Sequence, residues 1–264
     1  MRHSPLLLLA IASLWTIASD AEPLTAVACG PHYYPPLVWA DGGSLRGSCV
    51  EVAKRAFASV GVRLQFDYLG PWRRCQDLLE RGEAQVAVCA SHNPQRDRYL
   101  QFGSVPVAMQ QVVPFVHKSQ LHRVQSSADI RGLRVGLTRG GSFGNELDML
   151  LQTGRPDYAY DARANFAKLY FRRIDLVPLN RDTGQLIIDS LGYRDTLVPA
   201  PLVLLEYPVY FAVSRHSPAL LARLPGAEAF LQRRDYPAEQ ARLQAQEAEA
   251  FLRPPLLSAT GSPH

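Results

Sequence analysis

Two arginines two positions apart, in SHNPQRDRYLQF at residues 91–102, are the side chains best suited to hold an anion. A guanidinium is planar, always charged, and offers paired N–H donors that match the two oxygens of a carboxylate. The stretch follows an apolar run, AQVAVCA, and Asn93 with Pro94 reads as a helix cap and first helical residue. A buried strand should therefore end in a short capped turn that carries Arg96 and Arg98. The plainer reading is a solvated surface charge, whose ion pairs contribute little. A second candidate is the loop Gly140, Gly141, Ser142, Phe143 ahead of a helical pattern. Backbone N–H groups at a helix start, freed by glycine and favoured by the helix dipole, can bind an anion. A glycine turn with a serine cap is the alternative there. For acid–base work the candidates are Asp41, His32 and His92, none of them in a paired-carboxylate or triad pattern, and no G-x-S-x-G, HExxH or P-loop pattern occurs.

The elements that must position these groups follow from periodicity. LTAVAC, VRLQFDYL and AQVAVCA read as strands, and SCVEVAKRAFASVG and WRRCQDLLERG as helices ending at Gly61 and Gly82. Strands separated by helices make a parallel α/β sheet, which binds ligands at the carboxyl ends of its strands. A second α/β unit begins at DIRGLRVGL, continues through NELDMLLQTG, and reaches ANFAKLYFRRIDLVPL, a helix followed by a strand. Two extended runs, SVPVAMQQVVPFVHK and LEYPVYFAVSR, flank this unit and suit crossings between lobes. The expected organisation is a discontinuous first lobe over residues 22–110 and 200–264, with a second lobe over 111–199.

The first 21 residues combine a basic start, an apolar core from Leu6 to Ile17, and small residues at Ser19 and Ala21. That is the pattern of a secretory signal peptide cleaved after Ala21, and it implies the periplasm or the cell exterior. No later stretch has the roughly 20 uninterrupted apolar residues of a membrane span, so no stable membrane anchor is expected. Cys29, Cys49, Cys75 and Cys89 form an even set. In an oxidising compartment that favours disulfides, with three pairings open. Metal binding is the competing reading, but no CxxC or HxxxH spacing supports it. The net charge of +4 is mild and spread along the chain, which argues against nucleic acid and suits a small anion.

Four stretches in order resemble the type 2 periplasmic solute-binding proteins, in particular the extracellular solute-binding family 3 that serves polar amino acid importers. They are YYPPLVWADGGSLRGSCVEVAKRAF, ERGEAQVAVCASHNPQRDRYLQFG, ADIRGLRVGLTRGGSFGNEL and FRRIDLVPLN, and the resemblance resting on them covers most of the mature chain. The resemblance implies a two-lobed α/β fold, each lobe a mainly parallel sheet flanked by helices, joined by two hinge crossings. It implies a monomer without cofactor or metal that closes on a small carboxylate, with an ABC permease as partner. By the same resemblance, Arg96 and not Arg98 grips the carboxylate, and Ser91 supplies a hydroxyl beside it. Tyr34 packs on the ligand, Trp72 and Tyr33 add walls, and Gly141 with Ser142 or Phe143 takes the carboxylate's far side. Asn180 stands where such proteins commonly carry the aspartate that neutralises an ammonium, with Asp182 two residues on. An enzyme on the same scaffold, such as a cyclohexadienyl dehydratase, and a ligand sensor are the alternatives.

Overall fold

The computed structural model describes residues 22–253; the signal peptide expected over residues 1–21 lies outside them, as do residues 254–264. The chain begins with strands β1 (Leu24–Cys29), β2 (Tyr33–Tyr34), β3 (Val38–Asp41) and β4 (Ser44–Arg46). Helix α1 (Ser48–Ala58), strand β5 (Val62–Gln65), helix α2 (Trp72–Glu80) and strand β6 (Val86–Ser91) follow. Strands β7 (Leu100–Phe102), β8 (Ala108–His117) and β9 (Arg134–Thr138) lead to α3 (Asn145–Gln152), β10 (Arg155–Ala159) and α4 (Ala162–Tyr170). Next come β11 (Leu176–Asn180), α5 (Arg181–Ser190), β12 (Leu197–Pro199) and β13 (Leu205–Ser214), then α6 (Pro218–Leu221), α7 (Leu224–Ala229) and α8 (Tyr236–Leu252).

Ten strands share one curled sheet in the order β10-β9-β11-β8-β13-β6-β1-β5, with β12 beside β8 and β7 beside β13. The sets β5-β1-β6 and β10-β9-β11 are parallel, as the alternation of strands with helices predicts. Between them the two crossing strands pair with each other, antiparallel, from Leu205 against Val112 to Val209 against Ala108. The architecture is thus two α/β lobes joined by a two-stranded ribbon.

Each lobe has its own core. In the first, α1 turns Val50, Ala53, Ala56 and Phe57 onto β1, β5 and β6, the residue spacing of one helical face. A fully buried side chain such as Phe57 contributes about 2 kcal/mol by leaving water. In the second, Phe115, Phe166, Leu169 and Ile187 pack between the sheet and helices α4 and α5. Helix α5 lies so close to β8 that a Cβ on Gly184 would meet the Phe115 ring at 2.2 Å. Ala200, Leu202, Leu204 and Leu205, on the approach to and start of β13, pack on the cluster that holds Val116, Leu133 and Leu176.

Three elements depart from the expected pattern. The small antiparallel sheet β2-β3-β4 stands apart from the main one. Strand β10, RPDYA, sits at the sheet edge with one buried residue, so its sequence carries no apolar run. Helix α5 carries Thr183 and Gly184 in its first turn and is a poor helix by propensity. The cysteines pair as Cys29–Cys75, tying the end of β1 to α2, and as Cys49–Cys89, tying α1 to β6. Neither bond leaves the first lobe.

Candidate functional site

Strand β6 does not run straight into the capped turn. Cys89 has φ +48, and the register of β6 against β13 shifts between Tyr210 and Ala212. A bulge of this kind bends a strand and re-aims the residues after it, and bulges gather beside functional sites. Ala90 and Ser91, just past the bend, line a cavity of about 320 Å³ between the lobes. Asn93 then works as the sequence predicts: its Oδ1 accepts the Arg96 N–H at 2.9 Å, and its carbonyl accepts the same group at 3.1 Å.

Arg96 lies in the wall of the cavity and is 3% exposed. Its Nη1 donates to the Ser91 carbonyl at 2.6 Å and to Ser91 Oγ at 2.8 Å, and its Nη2 donates to the Gly140 carbonyl at 3.2 Å. The guanidinium carbon stands 5.2 Å from the centre of the Trp72 ring, within cation–π range. These partners hold the group in place without neutralising it. Nε is buried and has no partner, and no carboxylate of the described residues bonds Arg96. Burial pulls its proton affinity below the ordinary arginine value, opposed by Tyr99, Asp148 and Tyr207. A guanidinium stays charged through such a change. Arg98 is exposed, its Nε donating to the Gln95 carbonyl at 3.3 Å, and takes no part in the cavity.

The loop from the second lobe faces Arg96. Gly141, Ser142 and Phe143 line the cavity, but the N–H groups of Gly141 and Phe143 are taken by protein acceptors. Phe143 N–H donates to Asp148 Oδ1 at 2.9 Å, Gly141 N–H to the Thr138 carbonyl at 3.0 Å, and Ser142 Oγ to Asp148 Oδ2 at 2.6 Å. The carboxylate of α3 thus fills the anion position that the glycine loop suggests for a ligand. What the loop offers across the cleft is carbonyl oxygen. Ser91 Oγ donates to the Ser142 carbonyl at 3.0 Å, and Gln76 Nε2 joins Arg96 on Gly140 O at 3.1 Å.

Aromatic side chains form the rest of the wall. Tyr34 lines the cavity and shares a 2.9 Å hydroxyl contact with Tyr207, and Tyr33 and Trp72 also line it. Burial lifts the Tyr34 hydroxyl well above the usual tyrosine value, reinforced by Tyr207. Beside His32 but outside the cavity wall, Tyr68 and Tyr160 meet hydroxyl to hydroxyl at 2.9 Å, and desolvation with this bond pushes Tyr68 up to about 12.

Of the acid–base candidates, only His32 reaches the cavity. Asp41 is exposed and paired with Arg46 at 3.2 Å, and exposed His92 lies 2.9 Å from Asp97 in an outer groove. Asn180 does not line the cavity either: its Oδ1 caps α5 by accepting the Thr183 N–H at 3.1 Å. Asp182 is exposed on the next turn and is likewise outside the wall. The last strand residue and the helix cap are the same residue here, and the cap claims the amide. Asn180→Ala is expected to cost about 1 kcal/mol of stability. Ligand affinity should stay within a factor of two, which calorimetric titration and thermal melting of the same preparation would check.

Asp148 and Asp161 are wall residues that the sequence patterns do not single out. Asp161 caps α4 directly after β10, and the exposed composition of that strand hides the junction. No group of three or more metal-ligating side chains occurs among the described residues.

A two-lobed α/β scaffold with a ribbon hinge and a ligand-sized interlobe cavity is the fold of the type 2 periplasmic binding proteins. Structural comparison agrees. An amino acid ABC transporter substrate-binding protein from Streptococcus pneumoniae, bound to L-arginine, superposes with a TM-score of 0.72 at 20% identity, over 87% of this chain and 97% of that one. A histidine kinase sensor domain similar to periplasmic binding proteins gives 0.73 at 22% identity, over 84% and 96%. An ancestral amino acid-binding protein, a precursor of cyclohexadienyl dehydratase, gives 0.64 at 16%, over 87% and 95%. No protein-family model and no curated protein matches the sequence.

Proposed function

We propose that this chain is an exported solute-binding protein that captures a small carboxylate, an amino acid or a related acid, between its two lobes. One observation carries the reading: Arg96 is a buried cation in the wall of the interlobe cavity, bonded only by neutral groups. Buried charges are paired as a rule, since an unpaired one costs several kcal/mol. A ligand carboxylate supplies the missing charge and accepts from the Nε–H that no protein atom takes. The α/β likeness to binding proteins crystallised with arginine or glutamine supports the amino acid class.

The lobes, over residues 22–110 with 200–264 and over 111–199, close by bending the paired strands β8 and β13. The apolar leader over residues 1–21 places the mature chain in the periplasm, with an ABC permease as the receiving partner. We read the cavity as capturing its ligand and not turning it over, so incubation with prephenate should leave the compound unchanged. Thermal melting against amino acids, keto acids and dicarboxylates tests the proposal. A ligand at 100 times its Kd stabilises by about 2.7 kcal/mol, a rise of several degrees. If no carboxylate raises Tm at millimolar concentration, the reading is wrong.

A further inference from the structure

The lobe built on β9, β10 and β11 has a basic end remote from the cavity. The three strands run parallel, and the cavity takes its wall from their later residues, 136–138, 158 and 177–179. Around their starting ends, segments 117–134 and 171–175 hold six basic side chains, Lys118, Arg123, Arg131, Arg134, Arg172 and Arg173. The two carboxylates of these segments are already spent. Asp129 accepts from Ser126 and Gln125, while Asp175 accepts from Arg134 through both oxygens and lies 3.8 Å from Arg123. Arg172 forms no ion pair among the described residues.

What Arg172 faces instead is a second donor. The Ser119 N–H donates to His117 Nδ1 at 3.3 Å, which makes Nδ1 the accepting nitrogen and leaves the hydrogen of a neutral ring on Nε2. That Nε2 stands 3.4 Å from Arg172 Nη2, and a guanidinium nitrogen only donates. Two N–H donors thus meet with no acceptor between them. Ser119 Oγ completes the group, accepting from Arg172 Nη2 at 3.2 Å and lying 2.8 Å from His117 Nδ1. Burial, and then the Arg172 charge, hold the proton affinity of His117 below the ordinary histidine value, so the ring is neutral at pH 7. Converging donors around an uncompensated positive charge call for an oxyanion.

The geometry points to a phosphate-binding site formed by His117, Ser119 and Arg172, at the end of this lobe away from the interlobe cavity. A phosphate brings more oxygens and more charge than a carboxylate, and the exposed Lys118 and Arg173 beside the site add to the attracting field. The group arrives either on a small free phosphate compound or on the headgroup of a membrane phospholipid. Phe171, 64% exposed next to Arg172, gives the second source an apolar side chain to set among the headgroups. The site goes beyond the carboxylate reading above and does not rest on it.

The test follows the histidine ring signals by NMR while inorganic phosphate is added at constant pH and low ionic strength, with His117→Gln assigning the signal. Phosphate is expected to shift the His117 ring. Arg172→Gln should weaken phosphate at this signal by about tenfold or more, and Ser119→Ala by about threefold. Arg98→Gln removes the same charge from an exposed arginine elsewhere and should stay within about twofold of the parent. Flotation with vesicles separates the sources. Retention by mixed phosphatidylglycerol and phosphatidylcholine, absent with phosphatidylcholine alone and lost in Arg172→Gln, assigns a lipid headgroup. A phosphate shift without retention assigns a free phosphate compound. A His117 signal that phosphate leaves unmoved, with no retention or with retention that survives Arg172→Gln, overturns the site. So does an Arg98→Gln variant weakened as much as Arg172→Gln, which would reduce the effect to net charge. Carboxylate titration should be the same for the parent and Arg172→Gln, so this site and the interlobe cavity stand or fall separately.

Discussion

Arg96→Ala should weaken carboxylate binding by about 100-fold or more. Removing one partner of a buried charge pair costs roughly 3–5 kcal/mol, and each 1.4 kcal/mol is a factor of ten in Kd. The change also frees Ser91 Oγ and leaves the Gly140 carbonyl with Gln76 alone, so the mouth of the cavity loosens as the charge disappears. Arg96→Lys separates the two effects. It keeps the charge but loses the planar fork, and lysine's point charge cannot donate to Ser91 and Gly140 at once in the same geometry. The lysine variant should recover part of the loss, about tenfold, and bind with a steeper dependence on salt. The check is calorimetry at two ionic strengths. An alanine variant within threefold of the parent for every carboxylate would falsify the assignment of Arg96.

Breaking the Cys49–Cys89 bond is expected to have the next largest effect. The cysteines are 40 residues apart, and a cross-link of that span stabilises by about 4 kcal/mol in the chain-entropy account. For a chain of this size the loss corresponds to roughly 10 °C in Tm. Cys89 is also the residue with positive φ at the bend of β6, two positions before Ser91. The Cys49→Ser, Cys89→Ser double variant should therefore lose affinity as well as stability. The comparable break at Cys29 and Cys75 should lower Tm with a smaller effect on binding. Differential scanning calorimetry of both double variants, with titration below their melting points, decides the matter. Equal Tm for parent and both variants would sink the prediction.

What the residue pattern foretold depends on how locally each feature is determined. Strands β1 and β6 are continuous apolar runs and α1 has a one-sided stripe, so their identity follows from periodicity. The turn bearing Arg96 was equally legible, because Asn93 and Pro94 mark it and the preceding run had to be buried. Strand β10 escaped notice because an edge strand with a single buried residue needs no apolar alternation. Helix α5 did so because packing on Phe115 demands the glycine that weakens its local signal. The site divides in the same way. Ser91 and Trp72 reach the wall on β6 and α2, elements that can be read locally, whereas Tyr34 does so on β2, which the pattern did not show. Asp148 and Asn180 are claimed by bonds only three to six residues away, within their own loop and cap, which apolar patterning does not register; the presence of His32 and Asp161 in one cavity is a tertiary fact.

The bonds that Gln76, Ser91 and Arg96 make to the carbonyls of the 140–142 loop join protein to protein across the cleft. Each contributes about 1 kcal/mol or somewhat more where a charge donates, and all of them must break before the lobes can part. They act on traffic through the cavity more than on its chemistry. A ligand enters only during the fraction of time when the cleft is open, which slows arrival, and it leaves only when the same bonds let go, which slows departure further. On the solute-binding reading proposed above, a cleft held by these bonds is expected to give long residence times and modest capture rates, which suits scavenging a scarce solute more than tracking one whose concentration changes quickly.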